Sequence, residues 1–359
     1  MSVSNHMINV LVVDDSRVSR MLLVHLIESD PRLRVMGSVD SGDSALDFLK
    51  ENKPDVVLMD IQMPRLDGFE TTRLIMETFP VPIIICTATT DPKEIATTFR
   101  SMEAGAVACL GKPVGPEHPH FDLLASELLD TIKLMSEVKV VRRWRRSPSA
   151  QPVLSANEIP TNSRSGIRLI GIGASTGGPP VLQTILASLP KDFAVPILIV
   201  QHIAEGFLSG LIDWLNQTSS LQIQAASHGT YPLPGHVYLA PDDLHLGVTA
   251  SGRLLLTREE PEDGLRPSVS HLFRSLANVC GPNALGVLLT GMGKDGAAAL
   301  KLMKDKGATT IAQDRESSVV HGMPGEAIQL GAATHILAAD KIGHTLITLV
   351  NRRNAAGRN

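Results

Sequence analysis

The first third of the chain alternates short apolar runs with segments whose apolar residues recur at helical spacing. Residues three and four positions apart on one face indicate amphipathic helices between the runs. Most of the runs are almost continuously apolar, which is typical of strands covered on both faces. The pattern therefore predicts a doubly wound α/β domain with five parallel strands. The five predicted strands are Val10–Val13, Val35–Val39, Val56–Met59, Ile83–Cys86 and Val107–Leu110.

The region from residue 167 to the end shows a similar alternation and predicts a second doubly wound domain. Its apolar runs include Arg168–Gly173, Pro196–Val200 and Leu285–Leu289, and a polar or glycine-rich loop follows each of them. The segment Val237–Thr257 alternates short strands around Ser251 and Gly252. We expect it to form an antiparallel hairpin at the edge of a mainly parallel sheet.

A change of composition separates the two regions. The basic run at 142–146 precedes SPSAQPVLSANEIPTNSRSG, which is rich in Ser, Pro and Asn and predicts a linker. The segment Phe121–Val141 has helical spacing and is predicted to be the last helix of the first domain. We therefore assign residues 1–130 to the first domain, 131–166 to the linker and 167–359 to the second domain. With four arginines and one tryptophan, the basic run is interpreted as a solvated linker face rather than a nucleic-acid site.

Composition excludes several classes of protein. The 359 residues are 43% hydrophobic and 19% charged, as in folded globular proteins. A 3% aromatic content and a net charge of −4 argue against base stacking and general nucleic-acid affinity. The three cysteines lack zinc-site spacing and suit a reducing cytosol. With no signal-peptide pattern and no apolar run near 18 residues, we expect a cytoplasmic protein that does not insert into membranes.

Polar residues stand at the ends of the predicted strands of the first domain. Asp14 and Asp15 follow the first strand, Asp60 the third, Thr87 the fourth and Lys112 the fifth. Because parallel strands end at the same edge of a sheet, these side chains are predicted to converge. Three converging carboxylates require a cation such as Mg²⁺, and an aspartate in such a site can accept a phosphoryl group. The alternative that each is an ordinary turn residue explains any one of them but not all five together.

The second domain offers a serine on a strand-to-helix turn. A dinucleotide-binding interpretation of GIGASTGGPP fails because Thr176 stands where the third glycine is required. Ser175 instead precedes a helix N-terminus, whose N–H groups and dipole favour developing negative charge. His202 and Asp295 follow later strands and are expected at the same sheet edge, so a Ser-His-Asp arrangement is geometrically reasonable. Helix capping and turn formation remain open as alternatives for the serine and the aspartate.

The first domain resembles a two-component receiver domain over about residues 7–130. The resemblance lies in VVDDS, LMDIQMPRLDG, the Thr of CTA, and GKP, and it implies a flavodoxin-like fold. Cys109 stands where receivers usually carry an aromatic switch residue. By resemblance, the functional residues are the phospho-acceptor Asp60, the Mg²⁺ ligands Asp14, Asp15 and Asp60, and the phosphoryl-sensing Thr87 and Lys112.

The second domain resembles the catalytic domain of the CheB methylesterase family over about residues 167–350. The motifs are GASTGGP, QHI-x-x-GF, LPGH-V-Y-LAP, RPSV, LTGMGKDGA and GMPGEAI. The resemblance implies that Ser175 is the nucleophile, His202 the general base and Asp295 the acid that orients the histidine. It also implies that the Met292 N–H belongs to the oxyanion hole, that Thr176 lies beside the site, and that the esterase reaction needs no cofactor.

Together the two resemblances imply a phosphorylation-regulated enzyme. The implied substrates are glutamate methyl esters, and glutamines, on methyl-accepting chemotaxis receptors, and the implied phosphodonor is the histidine kinase CheA. We expect a monomer that binds no nucleic acid. Two other classes of protein are alternatives: a response regulator whose second domain only binds a partner, and a DNA-binding response regulator. The intact Ser-His-Asp set argues against the first, and a second domain without net charge argues against the other.

Overall fold

The computed structural model describes residues 7–88, 92–113, 115, 121–138, 140 and 166–356. The chain divides into two units, Met1–Ser155 and Ala156–Asn359. The basic run at 142–146 and most of the predicted linker lie outside the described residues, so the predicted domain boundaries remain predictions. Within the described ranges, every helix falls short of the length and apolar character that a membrane span needs.

The first unit contains a five-stranded parallel sheet in the order β2-β1-β3-β4-β5, which confirms the predicted doubly wound fold. Its strands are β1 (Ile8–Val13), β2 (Leu33–Val39), β3 (Val56–Met59), β4 (Ile83–Thr87) and β5 (Ala108–Gly111). Its helices are α1 (Arg17–Ser29), α2 (Gly42–Glu51), α3 (Gly68–Thr78), α4 (Pro92–Ala104) and α5 (Phe121–Met135).

Burial within this sheet follows the position of each strand. Every residue of the inner strands β3 and β4 is buried, in keeping with helices on both faces. The edge strand β2 has a single buried residue, Leu33, and its other positions are partly or fully exposed. The central strands therefore hold the core, and their carboxyl ends place side chains at one shared edge.

The second unit is built on a seven-stranded sheet in the order β14-β13-β12-β6-β7-β9-β8, and all its pairings are parallel. Its strands are β6 (Leu169–Ala174), β7 (Ile197–Gln201), β8 (Gln222–Ala225), β9 (His236–Leu239), β12 (Ala284–Leu288), β13 (Thr309–Gln313) and β14 (His335–Leu337); β10 (His245–Val248) and β11 (Leu254–Thr257) stand outside it. Its helices are α6 (Gly178–Ala187), α7 (Leu208–Thr218), α8 (Val269–Val279), α9 (Ala297–Asp305), α10 (Met323–Gln329) and α11 (Ala339–Ala356).

The predicted antiparallel hairpin is present as β10 and β11, but it forms a two-stranded sheet of its own. The neighbouring strand β9, which contains Val237, joins the main sheet in parallel with β7. The hairpin packs against α8 instead: the Ser275 hydroxyl accepts a hydrogen bond from the Val248 N–H at 2.8 Å. A helix face therefore covers β10, while β8 occupies the sheet edge beside β9.

The order of the strands creates a crevice at the centre of the large sheet. The first strand of this sheet is β6, and the chain then runs outward to β7. It later returns to place β12 on the other side of β6, where Gly173 pairs with Leu288. Open parallel sheets bind ligands outside the carboxyl ends of strands at such a switch point. Here the loops after β6, β7 and β12 carry the predicted Ser175, His202 and Asp295.

Candidate active site and receiver site

The backbone of Ser175 is tied to three parts of the second domain. Its N–H donates to the Thr290 carbonyl at 3.0 Å, and its carbonyl accepts from Gly178 N–H at 2.8 Å and from Gln201 Nε2 at 2.9 Å. The residue that caps α6 is Gly177, in the left-handed region with φ 76°, and no side chain caps this helix. The structure therefore does not use Ser175 as the helix cap.

Gly291 allows the loop after β12 to approach Ser175. A Cβ added at Gly291 would lie 2.6 Å from the Ser175 Cβ and would also overlap the Met323 sulfur. The Gly291 N–H donates to Val320 O at 3.0 Å, and its carbonyl accepts from the N–H groups of Gly322 and Met323 at 3.2 and 2.9 Å. A side chain at this position would push the loop away from the serine.

Met292 and Thr176 follow Gly291 and Ser175, the two residues whose backbones approach each other closely. Met292 follows Gly291, the residue is 49% exposed, and its N–H donates no hydrogen bond within the described part of the chain. Thr176 is half-buried, and its carbonyl accepts from Thr290 Oγ1 at 3.0 Å. The predicted oxyanion donor and the residue predicted beside the site thus flank the Ser175–Gly291 contact.

The structure brings His202 and Asp295 together. His202 Nε2 lies 3.0 Å from Asp295 Oδ2, and both side chains are largely buried. Nε2 forms no other contact with the described polar groups, and its contact with Asp295 becomes an ion pair when the ring is protonated. The His202 N–H donates to Ala174 O at 2.9 Å, which holds the histidine backbone beside the end of β6 and one residue from Ser175.

The carboxylate of Asp295 sits at the N-terminus of α8. It accepts hydrogen bonds from Val269 N–H at 2.7 Å, Ser270 N–H at 2.9 Å and Ser268 Oγ at 3.0 Å. Burial works to raise the pKa of this carboxyl, but His202 and the donors from Ser270 lower its pKa by more. The net pKa lies well below the usual range, so Asp295 is held ionised.

A further layer supports Ser268 and was missed by sequence reasoning. The Ser268 N–H donates to His245 Nδ1 at 3.2 Å, and His245 Nε2 lies 3.2 Å from Glu260 O. Since Nδ1 accepts from the Ser268 N–H, Nε2 is the ring nitrogen placed to donate to the Glu260 carbonyl. Its ring stacks on His271 with centroids 4.5 Å apart. Ser268 had a sequence signal as a serine N-cap before an apolar helical run, but its partner Asp295 lies 27 positions away.

The predicted residues of the receiver also converge. Ligand oxygens of Asp14, Asp15 and Asp60 lie within 4.8 Å of one another, with Asp14 and Asp60 buried and Asp15 exposed. Lys112 Nζ lies 2.7 Å from Asp14 Oδ2 and 2.8 Å from Asp60 Oδ2. The Lys112 N–H donates to the carbonyl of the buried Thr87 at 2.8 Å. All five predicted residues therefore meet at the carboxyl edge of the sheet.

Charge balance at this cluster favours a bound cation. Burial raises the pKa of Asp60, the Asp14 charge adds to the rise, and the contributions of Lys112 and the Ile61 N–H do not cancel it. Burial lowers the pKa of Lys112, but the two carboxylates raise it by more, so the lysine stays protonated. Three carboxylates thus face one ammonium group, and hard oxygen ligands of this kind fit Mg²⁺. Cys109, at the predicted switch position, is half-buried in β5.

Comparisons with known proteins agree with the family resemblance of each domain. The sequence matches the family models described as CheB methylesterase, over residues 170–346, and response regulator receiver domain, over residues 10–120. A protein-glutamate methylesterase/protein-glutamine glutaminase of Nitrosospira multiformis is 52% identical over 97% of this chain and 98% of its own length. A similarly named protein of Syntrophus aciditrophicus is 51% identical over 96% of this chain and 98% of its own.

A solved structure agrees with the second domain. The crystal structure of the Thermotoga maritima CheB methylesterase catalytic domain is 41% identical, with a TM-score of 0.50. It covers 52% of this chain and is itself covered completely. With near-complete coverage by relatives above 50% identity, this chain belongs to the CheB methylesterase family, the protein-glutamate methylesterases/protein-glutamine glutaminases that carry a receiver domain.

Proposed function

We propose that this chain hydrolyses the γ-methyl esters of glutamate residues on methyl-accepting chemotaxis receptors and deamidates glutamines there, using Ser175, His202 and Asp295. The observation that carries the proposal is the 3.0 Å approach of His202 Nε2 to an ionised Asp295, in loops that border the one carrying Ser175. A histidine fixed by a buried carboxylate is the arrangement that activates a serine hydroxyl.

In the acylation step, His202 takes the proton of Ser175 Oγ while Oγ attacks the ester carbonyl. Because Nε2 faces Asp295, Nδ1 is the ring nitrogen that receives this proton. The tetrahedral oxyanion accepts a hydrogen bond from the Met292 N–H, and one such donor contributes roughly 3–4 kcal/mol to the transition state. Methanol, or ammonia from a glutamine, leaves with the proton held by His202.

In the deacylation step, His202 Nδ1 takes a proton from water, and the water attacks the acyl-serine. Collapse of the second tetrahedral intermediate returns the proton from His202 to Ser175 Oγ and frees the glutamate as a carboxylic acid, which loses its proton to solvent. Asp295 stays ionised throughout and stabilises the imidazolium form. Each step uses side chains and backbone of this domain, so the proposed reaction requires no cofactor.

The receiver is proposed to control this reaction in the cytoplasm. Asp60 accepts a phosphoryl group from a histidine kinase of the CheA type, while Thr87 and Lys112 hold the phosphoryl oxygens. Asp14, Asp15 and Asp60 would hold Mg²⁺, which supplies positive charge to the transferring phosphoryl group. Before phosphorylation the receiver restrains the esterase by covering its cleft in cis, and phosphorylation weakens that restraint.

Methanol release from membranes that contain methylated receptors tests the activity. The full chain is expected to release methanol, and a small phosphodonor with Mg²⁺ is expected to raise the rate. Asp60→Asn should retain the rate measured without phosphodonor and lose the increase. A wild-type chain that releases no methanol under either condition would exclude the proposed activity.

A catalytic fragment, residues 152–359, tests the restraint separately. A tethered partner has an effective concentration in about the millimolar range, so even weak docking keeps a site mostly closed. A coupling of about 1–3 kcal/mol corresponds to a 5- to 150-fold change. The fragment should therefore hydrolyse the ester faster than the unphosphorylated full chain. Equal rates would contradict docking over the cleft and favour a receiver that acts by recruitment.

A further inference from the structure

A cavity of about 420 Å³ opens beside the proposed oxyanion loop, and none of the proposed catalytic residues lines it. Gly293, the residue after Met292, forms part of its wall. The other lining residues belong to the loop after β13 and to α10: Arg315, His321, Gly322, Gly325, Glu326, Ile328 and Gln329. Its position suits the part of a polypeptide substrate that flanks the reacting residue.

The cavity and the nucleophile share one structural support. Gly291 separates the Ser175 side chain from the Met323 side chain, because a Cβ at Gly291 would overlap both. The N–H groups of Gly322 and Met323 donate to the Gly291 carbonyl, so the start of α10 is anchored to the oxyanion loop. A group bound in the cavity therefore lies close to a residue bound at Ser175.

The loop that carries Arg315 is ordered by its own hydrogen bonds. Asp314 Oδ1 accepts from the Ser317 N–H at 3.0 Å and from Ser317 Oγ at 2.7 Å. Farther along, the Val320 N–H donates to Thr290 Oγ1 at 2.9 Å, which ties the loop to the end of β12. This wall of the cavity is thus preformed rather than dependent on a ligand.

Three polar side chains of the cavity have no partner within the described part of the chain. Arg315 and Gln329 are exposed and Glu326 is half-buried, and none of the three forms a hydrogen bond or ion pair there through its side chain. Arg315 offers donors, Glu326 offers acceptors and Gln329 offers both. His321, with a pKa lowered by burial and by the nearby Arg315, adds no positive charge at neutral pH.

This combination matches a carboxamide better than a carboxylate. The oxygen of a carboxamide accepts from Arg315, while its NH₂ group donates to Glu326. A carboxylate would also pair with Arg315, but its second oxygen would meet the negative charge of Glu326. An apolar side chain would offer neither charged group a hydrogen-bond partner.

We propose that this cavity binds the carboxamide of a glutamine or asparagine that flanks the reacting residue of the substrate polypeptide, and that Glu326 discriminates against a carboxylate there. The inference rests on the proposed function and extends it to substrate choice. Its consequence is an order of processing: once a flanking glutamine has been deamidated to glutamate, its neighbour becomes a poorer substrate.

Synthetic polypeptides that carry one γ-methyl glutamate provide the test with the full chain. Glutamine, glutamate or methionine is placed in turn at each of the four positions on either side, and kcat/KM is measured from methanol release. At one flanking position at least, we expect wild type to prefer glutamine over glutamate by about 10-fold. Glu326→Gln should bring that glutamine-to-glutamate ratio close to one.

Glu316→Gln is the matched control, because it removes the same charge from the same region without lining the cavity. It should retain the wild-type ratio. Arg315→Gln should lower kcat/KM for the glutamine peptide towards the value for the methionine peptide. A ratio near one in wild type, an unchanged ratio in Glu326→Gln, or equal losses in both glutamate variants would overturn the inference. Failure of wild type on every peptide would instead reject the proposed function.

Discussion

The two sites of this chain use an aspartate beside a basic side chain at the edge of a parallel sheet, yet their electrostatics are opposite. Asp60 is buried near Asp14 and has a raised pKa, with Lys112 2.8 Å away. Asp295 is buried to a similar degree, lies 3.0 Å from His202 and has a lowered pKa. A basic side chain within 3 Å is therefore not enough to lower the pKa of a buried carboxyl group.

The difference arises from what else surrounds each carboxylate. Asp295 receives three hydrogen bonds from the first turn of α8 and its cap, where the helix dipole adds to the stabilisation. Among the described residues, Asp60 accepts one backbone hydrogen bond, from the Ile61 N–H at 2.8 Å, and a second carboxylate lies beside it. Asp295 is thus fixed in its charged form as a support, whereas Asp60 is left under-stabilised and suited to react or to bind a cation.

The largest effect is expected at the nucleophile itself. Ser175→Ala should lower kcat for methanol release by about 10⁶-fold, because members of a catalytic triad act as a unit. Ser188→Ala, a hydroxyl at the far end of α6 that donates to Ile185 O, is the matched control and should retain activity. Activity near that of wild type in Ser175→Ala would remove the serine from the mechanism.

The next effect concerns Asp295 as a fixed charge. Asp295→Asn should lower kcat by about 10⁴-fold, since an amide no longer stabilises the imidazolium or selects its tautomer. Asp305→Asn changes the same group at an exposed position at the end of α9 and should have little effect. A loss confined to KM would show that Asp295 binds substrate rather than supporting His202.

Ser268 gives a smaller test of the same support. Ser268→Ala removes the hydroxyl that donates to Asp295 and caps α8, so we expect kcat to fall by about 10-fold with little change in KM. Ser268→Thr retains the hydroxyl and should restore most of the rate. Equal losses in the two variants would indicate disturbed packing instead of a lost hydrogen bond.

Thermal unfolding tests the contrast between Asp60 and Asp295, because replacing each by Asn should change Tm in opposite directions. In the absence of Mg²⁺, Asp60→Asn should raise the Tm of the receiver transition, because it removes a buried charge that is poorly stabilised. Asp295→Asn should lower the Tm of the catalytic transition, because it removes a charge that the fold stabilises. A change of about 1 kcal/mol corresponds to a shift of roughly 2–4 °C in a domain the size of the catalytic one, and to a somewhat larger shift in the smaller receiver. Calorimetry that gives the same sign for both variants would contradict the proposed contrast.

The smallest effects are expected in the pH dependence of unfolding. The lowered pKa of Asp295 means that its stabilisation is present above the ordinary value of about 4 and declines as pH falls below it. The difference in unfolding free energy between wild type and Asp295→Asn should therefore become smaller below about pH 4. The raised pKa of Asp60 has the opposite sign: its cost applies at higher pH and disappears as the carboxyl protonates. Denaturant titrations at a series of pH values measure the difference in unfolding free energy between wild type and each of the two variants.

The sequence predicted the site residues that lie at the ends of strands, because strands and their ends are recognisable from the pattern of apolar residues. Strand ends are visible in the chain, so the convergence of Asp14 with Asp60 followed from a parallel sheet. The support of Asp295 by Ser268 and His245 was not visible, because it depends on how α8 packs beside the loop after β12. The hairpin was predicted, but its separation from the main sheet depends on the contact between Val248 and Ser275. Tertiary packing of this kind leaves no periodic signal.

The pairing of β6 with β12 also determines when the site can come into existence. Ala284 pairs with Leu169 and Leu288 with Gly173, so the two halves of the crevice join residues more than a hundred positions apart. Such non-local contacts form late and slowly, because a long loop must close before they contribute. A nascent domain that has emerged only as far as β11 holds the serine and the histidine without the aspartate. Hydrolysis would then begin only once nearly the whole domain has folded, which makes the appearance of activity a measure of completed folding.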